Sequence, residues 1–203
     1  SIKFLQRQAI LNPPFFMQVS HYSVPSDVMI LQHPLNKYME KPKGKYHRHA
    51  VFAAMTEYLD SGVCFLLDRL KALVLEKHTY ILSTSDNGAV PVMPPKPKYN
   101  SGSNFPLSRG KWDAMEGGIR VPFVIAGPKI AAGLESNTPI THSDVLPSII
   151  DLAGQKLPVK EDMDGGRFKS IISSGGNGNS SRCSEGLIFN VPYENGIAVK
   201  REN

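Results

Sequence analysis

Residues 79–88 read Thr-Tyr-Ile-Leu-Ser-Thr-Ser-Asp-Asn-Gly. The β-branched and apolar positions of Thr79–Thr84 predict a strand, and Ser85-Asp86-Asn87-Gly88 predicts the turn that ends it. Immediately upstream, Val51, Met55, Leu59, Leu66, Leu70 and Leu73 recur at helical spacing and predict a long helix over 51–74. Before that, the apolar segment Pro14–Ser20 (PFFMQVS), bounded by Pro13-Pro14, reads as a buried strand. Strand, helix and strand in this order predict a crossover unit, hence an α/β fold with a mainly parallel sheet flanked by helices.

Outward from this unit, His21–His49 is polar and rich in Pro, Lys and Tyr, and is expected to be a long loop. Ala89–Gly110 reads as a second irregular stretch. Gly118–Ala126 (GIRVPFVIA) reads as a strand whose Pro122 argues for an edge or a bulge. Ser143–Ala153 predicts a helix, with Ser143 or Asp144 as its cap and Gly154 as its stop. The Ser173–Ser181 run is expected to be a flexible surface loop and contains the sequon Asn179-Ser180-Ser181. Gly186–Val191 predicts a further strand, and Ile197-Ala198-Val199 begins another.

The 203 residues suffice for one α/β domain with a core, and 41% hydrophobic and 20% charged residues are ordinary for a globular chain. Apolar runs such as Val121–Ala126 are strand-sized, well short of the roughly 20 residues of a membrane span. The chain opens on Ser1 in a helix-like segment, so its natural N-terminus is expected to lie upstream. Cys64 and Cys183 are too few for a disulfide framework and lack metal-ligand spacing, and Cys64 is expected to be a buried thiol on the long helix. A net charge of +5 suits anionic substrates. The cations look scattered, without a block of five, which argues against a nucleic-acid partner.

Two segments carry chemistry. Asp86-Asn87, at the carboxyl end of a strand, offers hard oxygen donors suited to Ca²⁺ or Mg²⁺, although Asp-Asn-Gly alone is also an ordinary turn. Arg109-Gly110-Lys111 followed by Glu116-Gly117-Gly118-Ile119-Arg120-Val121-Pro122 places a point cation beside glycines that let backbone approach a ligand. Read alone, Lys111 is equally a solvated loop lysine.

Together, these segments resemble the C-terminal half of the catalytic domain of sulfatases, members of the alkaline-phosphatase-like superfamily. Thr141-His142-Ser143-Asp144-Val145-Leu146-Pro147-Ser148 with Asp151-Leu152-Ala153-Gly154 continues the resemblance, as do Asp164-Gly165-Gly166, Pro14-Phe15-Phe16, Ala53-Ala54-Met55 and Leu59-Asp60. The resemblance implies a partial sulfatase-like sheet domain over 1–170. A flexible loop and the start of a small C-terminal subdomain would occupy 171–203.

By that resemblance, Asp86 and Asn87 form one half of a site for a divalent cation, usually Ca²⁺, and Lys111 contacts the sulfate of a sulfated glycan or small molecule. Glu116, Gly117, Gly118 and Arg120 form the supporting loop. The family's other metal half, an Asp-Asp pair, and its nucleophile, a formylglycine made from Cys/Ser-x-Pro/Ala-x-Arg, are absent from these residues. The resemblance places both in a missing N-terminal half of the domain, so this chain alone is expected to be inactive. A secreted, periplasmic or lysosomal location is likewise a family expectation.

A further departure lies in His21-Tyr22-Ser23-Val24-Pro25, where Pro25 occupies the position of a family histidine that contacts the sulfate. Proline has no titratable group, leaving nearby His21 or His33 to take that role. Two other readings follow: a pseudo-sulfatase that binds sulfated glycans without cleaving them, or a related two-zinc phosphatase or phosphodiesterase.

Overall fold

The apolar stripe read over 51–74 becomes α3 (Ala50–Ala72), the longest of the helices described. Met55 and Leu70 are buried on that stripe, whereas Cys64 lies off it and is exposed, not buried as expected. At the N-terminus of α3 the His49 ring accepts the Phe52 amide through Nδ1 at 3.2 Å, satisfying one of the four free donors of the first turn. By length and mean hydropathy, 23 residues and 1.4, α3 is able to cross a membrane. No single apolar run signals this, because Glu57, Asp60, Asp68 and Arg69 interrupt the helix on its polar face.

A computed structural model describes residues 1–21, 32–90, 103–156, 163–182, 186–191 and 196–201. They divide into two compact units, Ser1–Thr79 with Thr84–Phe123, and Tyr80–Ser83 with Val124–Asn203. In the first unit, α1 (Ile2–Leu11) and α2 (Gln32–Glu40) pack on α3. Leu5 of α1 is fully buried. Helix α2 falls inside the stretch expected to be loop. Its Lys37 ammonium binds both Glu57 carboxylate oxygens of α3, at 2.8 and 2.7 Å. That hydrogen bond holds Lys37 above and Glu57 below their ordinary values.

The strand expected over Pro14–Ser20 does not form. Burial still alternates along Phe15–Ser20, as in a strand, yet no ladder pairs it among the described residues. Pro13 and Pro14 remove two donors, and Phe15 instead meets Phe4 of α1 edge-to-face, with ring centroids 5.7 Å apart. Strand β1 (Ile81–Thr84) therefore pairs not with that segment but with β2 (Phe123–Ala126). The β2 strand is shorter than the nine residues expected, because Glu116–Ile119 coils into a one-turn helix, α4, before Pro122.

In the second unit, the helix read over 143–153 is α5 (Val145–Leu152), preceded by a 3-10 turn at His142–Asp144. The chain stops the helix at Gly154, whose φ of +71° is left-handed. Asp144 does not cap α5. Its carboxylate accepts the Thr141 amide at 2.7 Å, in a reciprocal box with Thr141, and the Gly166 amide at 2.6 Å. It also accepts the buried Arg182 guanidinium, whose Nε lies 3.0 Å from Oδ1. Burial alone would push this carboxyl up, but the bonds from Arg182, Thr141 and Gly166 outweigh it and hold the group below the usual carboxylate range.

The Gly/Ser run expected to be free is tied down. It begins in α6 (Lys169–Ser173), and Ser136 and Thr138 donate to the carbonyls of Gly176 and Gly178, each at 2.7 Å. The two expected strands, β3 (Gly186–Val191) and β4 (Gly196–Arg201), form an antiparallel pair, in register from Gly186 opposite Arg201 to Val191 opposite Gly196.

Candidate functional site

The turn leaving β1 is shaped by its own side chains. Asp86 Oδ1 accepts the Asn87 amide at 3.0 Å, and the Ser85 hydroxyl donates to the Asn87 carbonyl at 2.9 Å. Asp86 is exposed and Asn87 is half-buried. The next residue enters tight backbone packing: the Gly88 amide donates to the Gly118 carbonyl at 2.9 Å. A Cβ on Gly88 would stand 1.7 Å from the Gly117 carbonyl oxygen, so no side chain fits.

Three further bonds close the arrangement. The Lys111 amide donates to the Ala89 carbonyl at 3.2 Å, and the Gly117 amide to the Ser108 carbonyl at 2.8 Å. Asn104 accepts the Ala89 amide at 3.1 Å and donates to the carbonyls of Ala89 and Arg109, both at 2.9 Å. A Cβ on Gly117 would meet the carbonyl oxygens of Arg109 and Ser108 at 2.3 and 2.4 Å. Asp86-Asn87-Gly88, the Lys111 turn and Glu116-Gly117-Gly118 are thus joined backbone to backbone. The expected supporting pair Glu116 and Arg120 form an i,i+4 contact at 3.3 Å.

Lys111 sits between two residues in left-handed conformation, Arg109 at φ +61° and Trp112 at φ +75°. Non-glycine residues held there cost on the order of 1–3 kcal/mol each, and such strain clusters at ligand-binding loops. The half-buried Lys111 ammonium lies 5.8 Å from the Trp112 ring centroid. Among the described residues no carboxylate forms an ion pair with it.

His21 is placed apart from these bonds. Its ring lies against α3, where a Cβ on Gly62 would be 3.3 Å from Cε1. No hydrogen bond joins it to the Lys111 turn among the described residues. His33 lies in α2, and Pro25 falls outside the described residues. Asn104, which bridges the two loops, was not singled out by the sequence. An Asn preceding Phe-Pro carries no periodicity or motif that would flag it.

No cluster of three His, Cys, Asp or Glu side chains occurs among the described residues. The carboxylate of Asp86 and the amide oxygen of Asn87 fit a hard divalent cation in donor type. Alone they supply too few of the six to eight oxygens that Ca²⁺ takes.

In this α/β chain the strand-end Asp-Asn turn is thus bonded to a Lys loop and a Glu-Gly-Gly helix. The sulfatase family model matches residues 2–155, and the chain belongs to the sulfatase family. Steryl-sulfatase of Homo sapiens is 30% identical over 205 residues, covering 99% of this chain and 33% of that protein. N-acetylgalactosamine-6-sulfatase of Rattus norvegicus is 37% identical over 108 residues, 53% of this chain and 20% of that protein.

Among solved structures, Ps i-CgsB in complex with k-i-k-neocarrahexaose superposes with a TM-score of 0.74 at 26% identity, covering 87% of this chain and 37% of that one. The PsFucS1 sulfatase from Pseudoalteromonas sp., at 22% identity and a TM-score of 0.72, shares the fold over 100% of this chain and 43% of its own. The chain spans about a third or less of the length of the steryl-sulfatases it matches.

Proposed function

We propose that the parent protein hydrolyses sulfate esters, of sulfated carbohydrates or aryl sulfates. In this reading Asp86 and Asn87 supply two of the oxygens that hold a Ca²⁺ ion, and Lys111 binds a sulfuryl oxygen. The carrying observation is the Lys111–Ala89 hydrogen bond, which fixes the cationic residue's turn beside the Asp-Asn turn. Charge gathers on the sulfuryl oxygens as the S–O bond breaks, so an ammonium carried on a backbone-anchored turn beside them would lower the barrier. A bound dication would add Lewis-acid polarisation of the same oxygens. Trp112, stacked beneath the ammonium, limits where it swings and screens one side from water.

The remaining cation ligands and the formylglycine nucleophile are assigned to parts of the parent outside these 203 residues. A protein of these residues alone is therefore expected to turn over little. The test is turnover of an aryl sulfate by the parent protein, with Lys111→Ala as the control. Loss of about 10²-fold or more in kcat/KM supports the reading, and an unchanged rate overturns it.

The second reading, a binding-only pseudo-sulfatase, draws on Pro25 and on the placement of His21 against Gly62. It predicts retained affinity for a sulfated saccharide with no turnover. The phosphatase reading is not pursued, given the sulfatase family match.

A further inference from the structure

Residues 41–49 read Lys-Pro-Lys-Gly-Lys-Tyr-His-Arg-His: four fixed cations in eight residues and no acid. Lys41, Lys43, Lys45 and Arg48 are all exposed; Lys41 lies within the field of Glu57, while Lys43, Lys45 and Arg48 form no ion pair among the described residues. Lys37, one helical turn before Lys41, is by contrast committed to Glu57. Uncompensated cations packed this closely raise the local potential and are held there at an electrostatic cost that an anionic ligand would relieve.

The segment is shaped rather than trailing. The Gly44 amide donates to the His47 carbonyl at 3.1 Å, and Arg48 Nε donates to the Gly44 carbonyl at 3.3 Å. The exposed Tyr46 ring stacks on Phe105, with centroids 4.4 Å apart and planes 12° from parallel. Phe105 follows Asn104, the residue that bonds both Ala89 and Arg109. Tyr46 therefore moors the cationic segment to the loop that flanks Asp86, Asn87 and Lys111. Its other end opens on a groove of about 570 Å³ lined by Asn36, Lys37, Glu40, Lys41 and Pro42.

We infer that residues 41–48 form a recognition subsite for a multiply sulfated oligosaccharide, holding sulfate groups other than the one at Lys111. This rests on the sulfatase reading above and narrows it to polyanionic glycans over single-sulfate aryl or sterol esters. The Tyr46–Phe105 stack gives a sugar ring an apolar surface beside Lys45, whose ammonium lies 5.1 Å from the Tyr46 centroid, and three lysines at alternate positions offer contacts to more than one sulfate. A saccharide is favoured over nucleic acid because the cluster stops short of a run of five cations and the chain belongs to the sulfatase family, whose chemistry needs a sulfated ligand.

The test is calorimetric titration of the parent protein with a heparin hexasaccharide, in chelator so that no cation takes part. The wild type, Lys43→Ala/Lys45→Ala/Arg48→Ala and the charge-retaining Lys43→Arg/Lys45→Arg are compared. Circular dichroism accompanies each variant. The alanine triple is expected to weaken binding by about tenfold or more and to flatten its salt dependence, while the arginine variant binds as the wild type does. Equal affinity of the alanine triple, or loss in the arginine variant, overturns the subsite. So does a single-stranded hexadeoxynucleotide that binds as tightly as the hexasaccharide. Failure of aryl sulfate turnover in the parent would instead strike the catalytic reading and leave this binding result standing.

Discussion

The Lys111 amide is hydrogen-bonded to the Ala89 carbonyl at 3.2 Å, so a lysine 25 residues from Asp86 is held beside the Asp-Asn turn by backbone rather than by side-chain contact. Backbone anchoring leaves the ammonium free to serve a ligand and places the demand for accuracy on small residues and on Asn104.

Gly88 is the least tolerant of those positions. Gly88→Ala puts a methyl 1.7 Å from the Gly117 carbonyl oxygen, a backbone atom that cannot rotate away. The expected cost is about 3 kcal/mol or more in chemical denaturation, together with loss of Lys111-dependent activity in the parent. Wild-type stability in this variant would show that the two loops are not in contact.

Asn104→Ala removes one acceptor and two donors that bridge Ala89 and Arg109. Hydrogen exchange of the Ala89 and Lys111 amides should accelerate together, and stability should fall by roughly 2 kcal/mol. Acceleration at Ala89 alone would mean that Asn104 does not couple the loops.

Asp144 sets the acid limit of the second unit. Its folded pKa is depressed, so its contribution is complete above the ordinary carboxylate value of about 4 and is lost as pH falls through the folded value. Asp144→Asn leaves the buried Arg182 uncompensated and is expected to cost on the order of 3–5 kcal/mol at pH 7. The gap between wild type and variant should narrow on acidification. A gap constant down to pH 2 would contradict this.

Legibility in the sequence followed the range of the interactions. Helix α3, strand β1, α5 and strand β3 declare themselves through their local apolar and β-branched composition. Helix α2 was hidden because its polar composition resembles loop, and it forms against α3, with Lys37 meeting Glu57 20 residues away. Phe15–Val19 has the alternation of a strand, but pattern alone cannot supply a ladder partner. Asp86, Asn87 and Lys111 were singled out by the sulfatase resemblance, each alone being an ordinary turn or loop residue, while Asn104 beside them and Arg182 in the second unit act through contacts that no local pattern encodes.

His21→Ala in the parent is expected to change kcat for an aryl sulfate by less than about threefold, since a general acid contributes some 10²-fold or more and this ring stands against Gly62 of α3. A fall of 10²-fold with loss of the alkaline limb of the pH profile would instead make His21 the leaving-group acid.

The central claim is that Asp86 and Lys111 act on one bound sulfuryl group. A double-mutant cycle on kcat/KM for an aryl sulfate, with Asp86→Ala, Lys111→Ala and the double variant of the parent protein, measures this directly. The account predicts a coupling of at least about 1 kcal/mol, the double variant losing less than the two single losses combined. Additivity within about 0.3 kcal/mol would place the two residues in separate roles and contradict it.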